Sequence, residues 1–164
     1  MATEIADATD ASPRWLDTAE MRAWRGFIEG SQRLNEVLNR ELQSRHDVSL
    51  ADYQILVLLS ESPDGSVRMS ELADGILASR SKLTHQVRRM ESDGLVTRST
   101  CVEDGRGVLA QITECGRAKL AEAAPTHVRG VRSYLIDLLD SDELAAFAAI
   151  FDKVDVALDA RPDA

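Results

Sequence analysis

The chain has 164 residues, 44% hydrophobic, 29% charged and only 4% aromatic, enough to bury one sizeable core with at most a small appended domain. No run of about 18 apolar residues occurs, so no membrane span is expected, and a composition rich in Leu, Ala, Val, Glu and Arg suits a mainly helical protein. The net charge of −9 and the pI near 4.8 argue, for the chain as a whole, against nucleic acid as a partner.

Residues 1–13 are acidic and rich in small side chains, without the basic start and apolar centre of a secretory signal. They are expected to be a disordered lead-in, and the protein to be cytoplasmic. From residue 13 to about 45, Trp24, Phe27, Ile28, Leu34, Val37, Leu38 and Leu42 recur at three-to-four spacing, the mark of an amphipathic helix. Gly26 and Gly30 weaken it slightly or permit close helix approach. His46-Asp47-Val48 breaks the pattern. Ser49 then caps a second helix carrying Tyr53, Leu56, Val57 and Leu59, with Asp52 as an acid in its first turn. Ser62-Pro63-Asp64-Gly65 ends that helix in a turn.

Val67 and Arg68 read as a short strand. Ser70 is expected to cap a short helix to Ile76, and Leu77-Ala78 to turn the chain. Ser79 caps the next helix, which runs to about Ser92. Its Leu83, Val87 and Met90 face a core, leaving Arg80, Ser81, Lys82, Thr84, His85, Arg88 and Arg89 largely outward. Gly94 stops it. Residues 95–102 and 108–112 read as strands joined by the Gly-rich stretch 103–107. Thr113 caps a long helix to about Leu139, which Pro125 should kink. Ser141 caps a last helix with Leu144, Phe147, Phe151, Val154 and Leu158 in one apolar stripe.

Charge is distributed unevenly along this order. Residues 1–13 carry −3, from Glu4, Asp7 and Asp10, and from Asp137 onward eight acids oppose Lys153 and Arg161 for −6. Residues 79–90 carry Arg80, Lys82, Arg88 and Arg89 with no acid, for +4. Screening over about 8–10 Å lets these regions act separately.

A short helix, a turn, a basic-faced helix and a tipped hairpin, in that order, make a winged helix-turn-helix. Such a unit inserts a helix in the DNA major groove with a hairpin beside it. Ser81, Lys82, Thr84 and His85 are short or hydrogen-bonding side chains near the N-terminal end of that helix, where base edges are closest. Arg88 and Arg89 suit phosphates, and the positive helix terminus near Ser79 favours another. Arg106 at the hairpin tip suits a narrow minor groove, with Asp104 placed to orient its guanidinium. Taken singly, each is more often surface decoration, and the ordered combination carries the reading.

Other chemistry is thinly represented. Cys101 and Cys115 do not make a disulfide framework and read as a wing-strand residue and a first-turn helix residue. His46, His85 and His127 have no Ser or Cys partner in nucleophile spacing, no Gly-rich phosphate loop follows a strand, and no metal-ligand spacing appears. No catalytic residue, metal or cofactor is expected, and the protein is not expected to be an enzyme.

Three segments, Met69-Ser70-Glu71-Leu72-Ala73, Ser79-Arg80-Ser81-Lys82-Leu83-Thr84 and Arg89-Met90-Glu91-Ser92-Asp93-Gly94-Leu95-Val96-Thr97-Arg98, resemble the helix-turn-helix of the MarR family of bacterial transcription regulators. Asp104-Gly105-Arg106 with Ile112-Thr113 and Gly116 resembles its wing signature. Gly105 stands where many members carry a second Arg, and Ile112 replaces the usual Leu, a volume-conserving swap. The resemblance implies a mainly α fold with a small β wing, a winged helix-turn-helix over residues 49–116. Helices in 14–48 and 117–160 would flank it and form a homodimer interface. It implies a repressor of a palindromic operator whose DNA affinity is lowered by a small anionic or phenolic ligand, with Trp24, Arg25 and Asp52 as candidate ligand contacts. A winged-helix interaction module without DNA binding is the alternative, favoured mildly by the acidic charge and Gly105.

Overall fold

The computed structural model describes residues 13–76, 79–100 and 107–160. These form α1 (Thr18–His46), α2 (Leu50–Glu61), β1 (Ser66–Arg68), α3 (Met69–Gly75), α4 (Arg80–Ser92), β2 (Val96–Thr100), β3 (Val108–Ile112), α5 (Glu114–Tyr134), a 3-10 turn at Ile136–Leu138, and α6 (Ser141–Asp159). Mainly helical with a small antiparallel wing sheet, this is the architecture expected from the sequence. The lead-in at 1–12, the Leu77-Ala78 turn, and Cys101, Asp104, Gly105 and Arg106 lie outside the described residues.

The chain divides between Arg33 and Leu34 into two units. In the first, the helix begins at Thr18 rather than at Pro13, because Asp17 is the cap. Its Oδ1 accepts from the N–H groups of Ala19 and Glu20 at 2.8 and 2.9 Å, and Glu20 accepts from the Asp17 N–H at 2.9 Å. This reciprocal pattern satisfies orphan donors that nothing else would. Trp24 and Phe27 stand exposed with ring centroids 6.1 Å apart.

In the second unit α3 and α4 rest on a core of Ile55, Leu56, Leu59, Leu72, Leu83, Val87, Met90, Val96, Ala110 and Ile112. Leu83, Val87 and Met90 are fully buried, as their spacing predicts. A second cluster joins Leu38, Leu42, Val48, Leu50, Tyr53 and Ala123. At its edge His46 Nε2 lies 2.8 Å from Thr126 Oγ1, and Lys119 Nζ donates to the His46 carbonyl at 3.3 Å. Thus α1 continues one residue past the expected end and is held against α5.

The sheet has the order β1-β3-β2, antiparallel throughout, with Val67 and Arg98 both opposite Ala110. Gly94 adopts φ 73°, the left-handed conformation that lets the chain leave α4 and enter β2. Thr113 is the hub of the motif it belongs to. Its hydroxyl caps the Gly116 N–H at 3.0 Å and reaches the Gly94 carbonyl at 2.7 Å. A Cβ on Gly116 would sit 2.1 Å from the Leu95 carbonyl oxygen, so only glycine admits this closeness of wing base and α5.

Three further termini differ from expectation. Ser70 is not a cap. α3 starts at Met69 after Arg68, with no side-chain cap bond, because β1 runs directly into the helix. Ser141 is not a cap either. Asp140 accepts from Asp142 and Glu143 at 2.9 Å each, and Glu143 closes a capping box. α5 continues through Pro125 but ends at Tyr134, before Leu139, where Leu135 leaves helical geometry at φ −141° and ψ −66°. Among the described residues no helix is long and apolar enough to cross a membrane.

Candidate nucleic-acid interface

Helix α4 turns one apolar face into the core and presents the other to solvent. Ser79 stands at its N-terminus in extended geometry and caps the Lys82 N–H at 3.3 Å. Arg80, Ser81, Lys82, His85, Arg88 and Arg89 are exposed and Thr84 is half-buried. Arg80, Ser81, Thr84, His85 and Arg88 line one shallow depression, so the structure brings five of the sequence-named residues onto a single surface. The Thr84 hydroxyl donates to the Arg80 carbonyl at 2.7 Å. Its proton is therefore committed, and the oxygen remains available as an acceptor.

Arg89 is exposed but engaged. One of its terminal nitrogens lies 2.6 Å from each Asp52 oxygen. Asp52 is only 7% exposed and also accepts from Gln86 at 3.1 Å and from the Ser49 hydroxyl at 2.5 Å. Both carboxylate oxygens are thus satisfied within the chain. Asp52 does more than begin α2, since it ties α2 to the middle of the reading helix through a charge-assisted contact. Sequence patterning makes Arg89 a phosphate contact and Asp52 a first-turn acid of α2, and only the family resemblance makes Asp52 a candidate ligand contact. In the structure Arg89 and Asp52 are partners.

Glu91 and Arg98 form a second tie that sequence patterning does not single out. The Arg98 Nε and a terminal nitrogen donate to Glu91 Oε2 at 2.8 and 2.7 Å, and the Arg98 backbone N–H donates to Oε1 at 3.2 Å. Hydrogen bonding from Arg98 holds the Glu91 carboxyl below the ordinary glutamate value. The end of α4 is thereby joined to β2, the strand that leads into the wing. The wing residues Asp104 and Arg106 lie outside the described residues.

Of the candidate ligand contacts, Trp24 is 53% exposed and Arg25 lines a shallow depression with Arg22 and Glu29. Both belong to the first unit, and Asp52 belongs to the second. Among the described residues no group of His, Cys, Asp and Glu is placed to hold a metal ion. Cys115 is a free, exposed thiol.

The model of the MarR family matches residues 48–108. AbsC, a MarR family transcriptional regulator from Streptomyces coelicolor, is similar over 90% of this chain and 99% of its own, with a TM-score of 0.84 and 38% identity. A second MarR family transcriptional regulator from that organism, solved in complex with DNA, is similar over 91% and 93%, with a TM-score of 0.86 and 37% identity. The HTH-type transcriptional repressor YetL of Bacillus subtilis is 23% identical over 128 residues, 78% of this chain and 76% of its own.

Proposed function

This chain belongs to the MarR family of transcriptional regulators, and on that footing we propose that it is a repressor that binds double-stranded DNA as a homodimer. The observation that carries this reading is the outer face of α4, where Arg80, Ser81, Thr84, His85 and Arg88 line one depression with Lys82 exposed beside them and no acid among them. Ser81, Lys82, Thr84 and His85 meet base edges, and Thr84, its proton committed to Arg80, accepts from an exocyclic amine. Arg80 and Arg88 meet phosphates, and Ser79 marks the helix terminus that favours another. Arg89 serves mainly to position α4 through Asp52. Asp104 and Arg106 supply the wing contact on the strength of their sequence motif.

Two-fold symmetry makes the operator a palindrome with half-sites about one helical turn apart. A small anionic or phenolic effector lowers affinity by favouring a spacing of the two reading helices that does not fit it. Trp24 and Arg25 remain open for that role, whereas Asp52 is already satisfied by Arg89.

The test is an anisotropy titration against DNA flanking the coding region, repeated across salt concentrations. Competitor-resistant binding of two chains per site, with a log–log salt slope near −5 for about six phosphates, is expected. Sequence-blind binding that vanishes at modest salt, together with failure to select any site from random DNA, would identify an interaction module instead.

A further inference from the structure

A small recess of about 120 Å³ lies between α1 and α5, lined by Glu41 and Arg45 on one side and by Thr126, Arg129, Ser133 and Tyr134 on the other. All of these residues belong to the second unit, and none belongs to α4, the wing strands or the Trp24, Arg25 and Asp52 set. Gly130 completes the lining. A Cβ there would sit 2.6 Å from Leu38 Cδ2 and 3.2 Å from Glu41 Oε2, so glycine both lets the helices approach and keeps room beside Glu41. The volume equals that of about four waters at roughly 30 Å³ each. Drug-sized ligands need about 300–1,000 Å³, so the recess suits a compact polar group instead.

The charges in this lining are left unmatched. Arg89 holds Asp52, Arg98 holds Glu91 and Arg132 holds Asp137. Glu41 and Arg45, four residues apart on one helix, have the spacing to pair in the same way. Glu41 Oε1 instead accepts the Tyr134 O–H at 2.7 Å, and that bond holds the phenol above the ordinary tyrosine value and therefore protonated. Arg45 has no hydrogen-bond or ion-pair partner among the described residues. One terminal nitrogen of Arg129 donates to Thr126 Oγ1 at 3.2 Å. Thr126 is 4% exposed and meets His46 Nε2 at 2.8 Å, so it is a fixed anchor. It orients the Arg129 guanidinium and leaves the other N–H groups of that fork open. Ser133 adds a hydroxyl. Two guanidiniums against one acid already engaged by a phenol give the recess an excess of positive charge and of donors. Two planar forks on one compact recess match a tetrahedral oxyanion.

We propose that this recess binds a phosphoryl group, whose oxygens accept from the Arg45 and Arg129 guanidiniums and from the Ser133 hydroxyl. The group is carried either by free inorganic phosphate or by a small phosphomonoester whose remainder projects into solvent. The two share the chemistry that the recess reads. The site lies apart from the α4 face and stands independently of the DNA-binding reading above.

Inorganic phosphate tests the site, titrated into the full chain at constant ionic strength while the arginine Nε–H signals are followed by proton–nitrogen NMR. The Arg45 and Arg129 signals should shift together with a single Kd on the order of a millimolar, as befits so small a probe. Chloride at the same ionic strength should move neither. Arg45→Gln and Arg129→Gln should each weaken phosphate by at least about tenfold, the loss of a charge-assisted bond. Arg45→Lys, which keeps the charge and loses the fork, should recover only part of that. Glu41→Gln removes the one negative charge of the lining and should tighten phosphate by about threefold. A variant whose fold is damaged does not gain affinity, so this arm separates binding from structure. Glycerol 3-phosphate is titrated alongside. Binding as tight as phosphate or tighter assigns the site to phosphomonoesters and weaker binding assigns it to the free ion, and both results support the recess. Arg45 and Arg129 signals that phosphate leaves unmoved would overturn the proposal. Phosphate affinity that persists undiminished in Arg45→Gln and Arg129→Gln would overturn it too, because the ion then sits elsewhere on the chain, such as the basic face of α4.

Discussion

Two adjacent arginines on α4 have different work despite identical chemistry. Arg88 is exposed and points along the proposed DNA face, where it lines the depression with Arg80 and His85. Arg89, one residue on, is rotated by about 100° about the helix axis and reaches the buried Asp52 carboxylate at 2.6 Å. Arg88→Ala should leave stability within about 0.5 kcal/mol and reduce the salt slope by about 2 across the two copies. Arg89→Ala should instead destabilise by about 1–2 kcal/mol, because it strands a carboxylate that keeps only Ser49 and Gln86 as donors, with the pair discounted for the solvent exposure of Arg89. Urea midpoints at constant m-value separate the two effects. Should Arg89→Ala change the slope as Arg88→Ala does and leave the midpoint alone, Arg89 is a phosphate contact and the Asp52 tie is incidental.

At the scale of elements, what matters is how α4 and the wing are held at a fixed angle, and the Glu91–Arg98 contact is the direct link. Both side chains are partly solvent-exposed, so solvent screening leaves the pair little contribution to stability. Its value lies in aiming β2. Glu91→Ala should therefore weaken operator binding about threefold to tenfold while changing the unfolding midpoint within the range of an ordinary surface pair. Affinity unchanged within error would mean that the wing is aimed by its ladder alone. Since Arg98 depresses the Glu91 pKa, the link is present above the ordinary glutamate value and is lost only as pH falls through the lowered one, so it persists through neutral and mildly acid solution.

The same scale shows which parts of the fold could be read in advance. Ser49, Ser79 and Thr113 were legible as caps because a cap is a local event, decided by a side chain and N–H groups two or three residues away. The Asp140-to-Glu143 spacing carries the same local signal as a capping box, one residue before the expected Ser141. Ser70 failed for a different reason. The start of α3 is set by the β1 ladder, in which Arg68 pairs with Leu109 across forty-one residues of chain, and no local preference encodes that. The Asp52–Arg89 and Glu91–Arg98 ties divide along the same line. Periodicity placed each residue on a face, but which faces would meet was decided by the packing of α2 and β2 around the shared core.

For the whole molecule, the distribution of unburied apolar surface bears on assembly. No residue of α6 is buried: Phe147, Ile150, Val154 and Leu158 all remain exposed, with Ile150 at 54% and Leu158 at 65%. In the first unit Trp15 and Trp24 are exposed as well. Helices with apolar faces of this extent are stable in water only when those faces are covered, and in the proposed homodimer a second copy would cover them while presenting two α4 helices to one operator. The acids of α6, chiefly Asp142, Glu143, Asp152 and Asp155, then keep the assembly from adhering to DNA at random. Sedimentation of the intact chain should give twice its 18.0 kDa mass. Phe147→Glu should give the single mass with α-helical content retained, since α6 is capped by Asp140 and Glu143 independently of Phe147. Operator affinity should fall by at least about 100-fold, because linked half-sites raise effective concentration by that order, and the salt slope should halve to about −2.5. The slope is the sharper criterion. A variant that merely unfolds loses binding without a measurable slope, whereas a folded monomer keeps one reading head and half the released counterions. If Phe147→Glu remains dimeric with full affinity, α6 is covered by something other than a second copy, and the charge on its outer face must be explained by that partner.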